Sequence, residues 1–250
     1  MHAVRNLVLS CLIAIGVPAH AATAAAPATA AVPCQARSLA FDLKEAGWRH
    51  QPLSKLKRDT RYTVAAQGER KAVLSASAEG AASAYVAALK PAMLTPMTLS
   101  WEWKTGALVP GADNRDKSRE DAPLRVIVAF GGDVATLPDD ERKRLARAKT
   151  LSGREAPFAT LMYIWTDQVA VGTVITSAHT SQVKMLAVAS GPTGLGSWQT
   201  VQRKLVDDYR LAFGADPGPV LGVAVMTDTD NTGAKAVGEY SGIRLGCEGG

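Results

Sequence analysis

The chain has 250 residues, a formal net charge of +5 and 47% hydrophobic residues, which is enough to bury one sizeable core. The modest charge lacks the interleaving of basic and aromatic residues that grips nucleic acid, so that partner class is excluded. Three cysteines and four histidines show no zinc-ligand spacing, and no phosphate loop is present.

The chain opens on a short basic start (His2, Arg5) and an apolar run from Leu7 to Val17, closed by Ala19-His20-Ala21. This is the pattern of a cleaved secretory signal over residues 1–21, too short to span a bilayer as a helix. Residues 22–33 form an Ala/Thr/Pro linker with nothing to bury. Residues 34–250 are read as one β-sandwich domain. No later apolar stretch is long enough to be a transmembrane segment of the mature chain.

Within the domain, alternation dominates. Strands are predicted at 38–43, 61–67, 72–78, 82–89, 98–104, 124–130, 158–165, 168–175, 182–190, 197–205, 220–227 and 236–245. Gly68-Glu69-Arg70-Lys71 marks a hairpin between the second and third of these. Leu99, Trp101 and Trp103 share one face of their strand, opposite Ser100, Glu102 and Lys104. Residues 124–130 are apolar except for Arg125. Two helical pieces interrupt the strands. Pro138 to Ala148 begins with acids and ends with bases, as the helix dipole prefers, and reads as a solvated surface helix. Residues 207–213 form a short helix stopped by Gly214. Many strands with few helices predict an all-β fold, an antiparallel β-sandwich with one or two short surface helices.

Signal cleavage removes Cys11 and leaves Cys34 and Cys247, one at each end of the domain. Two cysteines in an exported chain predict a disulfide, worth about 4–5 kcal/mol for so long a loop. The compartment that follows is periplasmic or secreted.

Trp101-Glu102-Trp103-Lys104, Arg125 to Phe130, Tyr163-Ile164-Trp165, Asp207-Asp208-Tyr209-Arg210 and the stretch from Val225 to Gly233 together resemble a bacterial secreted family, domain of unknown function 3047. The resemblance covers residues 41–245. By analogy it implies a galactose-binding-like, jelly-roll sandwich, a fold that hosts many functions. The family tends to carry two aspartates where this chain has Glu120-Asp121. It also tends to carry Gly-Asp where this chain has Ser241-Gly242, which removes a carboxylate near the last strand.

One segment concentrates short oxygen-bearing side chains. Asp228, Asp230, Thr232 and Glu239 follow the spacing of a calcium-binding EF-hand loop, with Asp228, Asp230 and Glu239 as the metal candidates. The flanks read as strands, however, and a turn in which Asp228, Asp230, Asn231 and Thr232 bond their own backbone is the structural alternative. Arg125 sits among apolar neighbours and needs a carboxylate, with Asp121 or Glu120 as the expected partner. Trp101 and Trp103 read as core, whereas Trp165, near a strand end, is a candidate ring for ligand stacking. The ligand-binding candidates are therefore Asp121, Arg125, Trp165, Asp228, Asp230, Asn231 and Thr232. No residues are assigned as catalytic. Gly-x-Ser-x-Gly is absent, and the adjacent Asp207 and Asp208 point apart.

The expected function is a non-catalytic module binding an envelope carbohydrate or another polar ligand. It requires no cofactor, with Ca2+ as a possible ion. The alternatives are a saccharide-acting enzyme using loop carboxylates and a structural or assembly protein of the envelope. The sequence sets no oligomeric state.

Overall fold

The strand at residues 97–105 shows how the sequence builds the sandwich. Met97, Leu99, Trp101, Trp103 and Thr105 are buried, and the residues between them are half-buried. A pleated strand turns successive side chains to opposite faces, so one face meets the core and the other meets water.

A computed structural model describes residues 36–41, 47–54, 56–92 and 97–247. The predicted signal peptide, the linker and Cys34 lie outside the described residues. The elements are β1 (Arg37–Ser38), β2 (Trp48–Pro52), β3 (Arg61–Gln67), β4 (Arg70–Glu79), β5 (Ser83–Ala92), β6 (Met97–Thr105), β7 (Ala122–Phe130), α1 (Asp139–Ser152), β8 (Ala159–Thr166), β9 (Val174–Thr176), β10 (Val183–Ser190), β11 (Gln199–Lys204), α2 (Leu205–Phe213), β12 (Val220–Asp228) and β13 (Lys235–Cys247). One sheet runs β11-β6-β13-β4-β3, with β1 on β13. The other runs β2-β5-β12-β7-β8-β10-β9.

The two sheets face each other across an aromatic core. Trp101 on β6 meets Tyr163 on β8 at 5.1 Å between ring centroids, and Trp103 meets Trp165 at 6.2 Å. Each fully buried Leu, Val or Met in such a core contributes about 1.5–3 kcal/mol. Polar ties also cross the gap: the Tyr240 hydroxyl donates to the Met226 carbonyl at 2.6 Å and lies 3.0 Å from Thr227 Oγ1, which itself donates along its own sheet to the Pro123 carbonyl at 2.8 Å. Gly238 allows this closeness. A Cβ there would stand 2.4 Å from Thr227 Oγ1 and 2.6 Å from the Pro123 oxygen.

A second apolar layer covers the outer face of the seven-stranded sheet. Val86, Ile127, Met162, Ile164, Met185, Ala224 and Met226 form it, together with Val169 and Ile175 from the connection after β8. Every residue of β7 and of β8 is consequently buried. A strand covered on both faces needs apolar side chains at every position, which explains the unbroken run around Arg125.

The structure refines four sequence readings. β10 runs parallel to β8, unlike the other described strand pairs, because residues 167–182 are a long enough connection to return the chain in the same direction. The predicted strand at 168–175 is replaced by a short one at its end, Val174–Thr176, since Gly172 turns the chain with a φ of 88°. Trp48–Pro52 is a strand that alternation did not reveal, and its proline closes a strand at the edge of its sheet, a position that tolerates a missing N–H. The charged helix forms as α1, but it has a docked face. Leu145 and Ala148 are buried, and Glu141 accepts from Thr180 Oγ1 at 2.7 Å and the Ser181 N–H at 2.9 Å.

Candidate functional site

Arg125 lies on β7 between Leu124 and Val126, which face the sandwich core, and therefore points to the opposite face. Asp228 ends β12, two residues beyond Met226 of the outer layer. The two meet there as a fork: Arg125 Nε donates to Asp228 Oδ1 at 2.7 Å and Nη2 to Oδ2 at 3.0 Å. The partner of Arg125 is thus Asp228, correcting the expectation of Asp121 or Glu120. Glu120 contributes its backbone carbonyl, which accepts from Nη2 at 2.7 Å, while Met185 Sδ lies 3.3 Å from Nη1. Arg125 is 0% exposed and Asp228 is 1% exposed, so neither is placed to grip a ligand from solvent.

Asp121 is buried beside them and organises the next turn. Its carboxylate accepts the N–H of Asn231 at 3.2 Å and of Thr232 at 2.7 Å. Asp228 Oδ1 in turn accepts the Ala122 N–H at 3.2 Å. Asn114 Nδ2 donates to the Asp121 carbonyl, and Asn231 Nδ2 donates to the Lys117 carbonyl. The polar loop before β7 and the turn after β12 are therefore one laced unit. The turn leaves Asp230, Asn231 and Thr232 half-buried at its rim, with Asp230 paired to Lys57 at 2.5 Å.

Ligand oxygens of Asp121, Asp228 and Asp230 lie within 4.8 Å of one another. Glu239, the third metal candidate from the sequence, is elsewhere. Its carboxylate pairs with Lys104 at 2.5 Å and accepts from Gln67, because β13 alternation turns it to the outside of the other sheet. A calcium ion takes about six to eight oxygens. Here it would compete with Arg125, Lys57 and the three backbone N–H donors of Ala122, Asn231 and Thr232 already bound to the three carboxylates. That donor set fits a protein-supplied cation better than a free one.

Trp165 is 1% exposed, its indole N–H donates to the Gly191 carbonyl at 3.0 Å, and its ring packs on Trp103. It belongs to the core, which corrects its reading as a stacking ring. Asp208 is similarly structural. It accepts from the Tyr163 hydroxyl at 3.0 Å and from Arg203 Nε at 2.9 Å and Nη2 at 2.5 Å, while Asp207 is exposed.

Electrostatics follow from burial. Burial pushes the Asp228 carboxyl up to about 7 against the pull of the Arg125 guanidinium. It also raises Glu120, whose Oε2 has Ser177 Oγ at 3.4 Å. His179 is lowered to about 4, first by burial and then by Lys117, Lys57 and Arg144, with Asp230 opposing. A histidine held below its ordinary value contributes stability above pH ~6.5 that is lost as pH falls towards 4. Thermal melts should therefore show wild type losing more stability than His179→Gln between pH 7 and pH 4.5. Parallel pH profiles for the two proteins would refute the assignment.

Sequence reasoning missed Lys57, the cation for Asp230, whose loop gives no local signal. It also assigned no role to Trp198. The alternation Trp198, Thr200, Gln202 on a strand whose other face holds Val201 was the available clue.

A model of the family described as Protein of unknown function (DUF3047) matches residues 46–244. No curated protein matches the chain. Among solved structures, the family 11 carbohydrate-binding module of the cellulosomal cellulase Lic26A-Cel5E of Clostridium thermocellum is similar over 86% of this chain and 95% of its own, at 8% identity and a TM-score of 0.44. The same organism's family 11 module, in complex with a β-1,3-1,4-mixed-linked tetrasaccharide, is similar over 85% and 95%, at 9% identity and a TM-score of 0.45. The family 30 carbohydrate-binding module of its cellulosomal cellulase Cel9D-Cel44B is similar over 77% and 84%, at 12% identity and a TM-score of 0.39.

Proposed function

We propose that this chain, which belongs to the DUF3047 family, is an exported, non-catalytic module that binds an envelope carbohydrate or another polar ligand. The observation that carries this reading is the division of labour at the laced turn. Asp121, Arg125 and Asp228 are buried and committed to one another, whereas Asp230, Asn231 and Thr232 stand at the rim above them. A rim of hydrogen-bonding groups fixed by a locked foundation is preorganised, so little ordering cost is left to binding. Glycoside cleavage needs two accessible carboxyl groups about 5–9.5 Å apart. Asp121 and Asp228, each 1% exposed, are poor candidates for that work.

The test is a thermal-shift series against peptidoglycan fragments and neutral oligosaccharides. At least one should raise the melting temperature with the logarithm of its concentration, and Asn231→Ala should reduce the rise. A panel without effect on the wild-type protein would end this reading. Calcium in the same assay should leave the melting temperature flat. A logarithmic rise that disappears in Asp230→Ala would instead place an ion among the three carboxylates.

A further inference from the structure

We infer that the outer face of the six-stranded sheet around Trp198 is a second ligand surface, one that binds a neutral saccharide chain by stacking a sugar ring on the indole. This surface is independent of the laced turn and rests on different residues.

Four of the five tryptophans are buried: Trp48 is 6% exposed, Trp101 1%, Trp103 0% and Trp165 1%. Trp198 is the partly exposed one. It directly precedes β11, where Gln199 is the register partner of Trp103, so it lies beside Lys104 on the solvent side of the sheet. Two cations hold the ring in place. The Arg70 guanidinium carbon is 4.4 Å and Lys104 Nζ is 5.2 Å from its centroid. A half-exposed indole fixed in orientation is suited to stacking against the polarised C–H face of a sugar.

The groups around the ring are suited to hydroxyls. Arg70 forks onto Glu102 at 3.1 and 2.7 Å, and Lys104 pairs with Glu239 at 2.5 Å. Each cation is met by a carboxylate, so the two positive and two negative charges cancel. A phosphate polymer gains little from such a face. A polyhydroxylated neutral chain finds both charged acceptors and charged donors at hand. Register extends the surface across the strands. Lys104 lies opposite Glu239, Glu239 opposite Ser75, and Ser75 opposite Thr63. From Trp198 to Thr63 this row crosses four inter-strand steps, or about 19 Å, the length of a short oligosaccharide. Thr200 and Glu102 form a parallel row beside it.

Affinity is read by isothermal titration calorimetry for every variant, and in wild type also by the fluorescence of the accessible tryptophan, with neutral glucose hexasaccharides of β-1,4, β-1,3 and α-1,4 linkage and with polygalacturonate as the anionic arm. A neutral chain should change the emission and protect it from acrylamide quenching. Trp198→Ala should weaken binding at least about tenfold, Trp198→Tyr should retain most of it, and Asn231→Ala should leave it unchanged. Trp198→Tyr, which keeps a ring for Arg70 and Lys104, should melt with the wild type, and Trp198→Ala, which loses both contacts, should melt slightly lower as one cooperative transition. Equal binding by Trp198→Ala and wild type would overturn the surface and leave a turn-based module standing. Preference for polygalacturonate would overturn the neutral class. Silence of the Trp198 signal while Asn231→Ala still abolishes a ligand-dependent thermal shift would also overturn the second surface.

Discussion

Asp228→Ala lowers the unfolding free energy by about 3–5 kcal/mol, because it strands a buried guanidinium. The magnitude follows from the absence of water at the pair. Arg125 is 0% and Asp228 1% exposed, so the charge left on Arg125 cannot be solvated without opening the outer layer of the seven-stranded sheet. The lost carboxylate also frees the Ala122 N–H that Oδ1 accepts at 3.2 Å. Chemical denaturation should be followed at pH 8, above the value of about 7 to which burial pushes Asp228, so that the pair is ionised. Arg125→Met should cost a similar amount, since it leaves the carboxylate buried beside Asp121. The double variant Arg125→Met with Asp228→Leu should cost less than the sum of the two. Its side chains suit a layer that already holds Met162, Met185 and Met226, and replacing both ions removes the uncompensated charge. A loss under 1 kcal/mol for Asp228→Ala would show that water reaches the pair.

The strands were legible where one face is wet. The period-two pattern of β6 survives intact, and the hairpin at Gly68 joins β3 to β4 as expected. Continuous apolar runs carried a different message. Residues 124–130 and 158–165 were readable as strands, but not as strands covered on both faces, because the covering layer comes from residues 167–176 and local pattern does not announce it. β5 is a strand despite its alanines. Its neighbours β2 and β12 decide its state, and tertiary pairing overrides a weak helical preference.

The candidate site was half legible. The polar turn at 228–233 and the burial problem of Arg125 were both visible, and each lies where expected. Their connection was not. Arg125 and Asp228 are 103 positions apart, and only the β7–β12 register brings them together. The same limit misplaced Glu239. Counting along the chain put it on the loop, whereas alternation along β13 turns it away, beside Lys104. Trp198 shows the opposite case: alternation along its strand alone turns it to the outer face with Thr200 and Gln202.

Reducing the Cys34–Cys247 disulfide that we propose should cost about 4–5 kcal/mol and act mainly on the unfolded chain. The described residues bring the two ends together: Arg37 lies opposite Leu245 and Ser38 opposite Arg244 in the β1–β13 pair. The covalent loop would then enclose the whole sandwich, so opening it restores nearly the full conformational freedom of the denatured domain. The local seam is weak without it. β1 is two residues long and both are exposed, so this pairing adds little buried area. In a chain beginning at residue 22, and so without Cys11, thiol titration in denaturant should find no free cysteine before reduction and two after it. Reductant should lower the denaturation midpoint of wild type and leave Cys247→Ser, already destabilised, unmoved. Hydrogen exchange should quicken first at the C-terminal end of β13, where β1 peels away, before the β13–β6 ladder opens. Two titratable thiols in the unreduced protein, with a midpoint indifferent to reductant, would remove both the disulfide and the case it makes for an oxidising compartment.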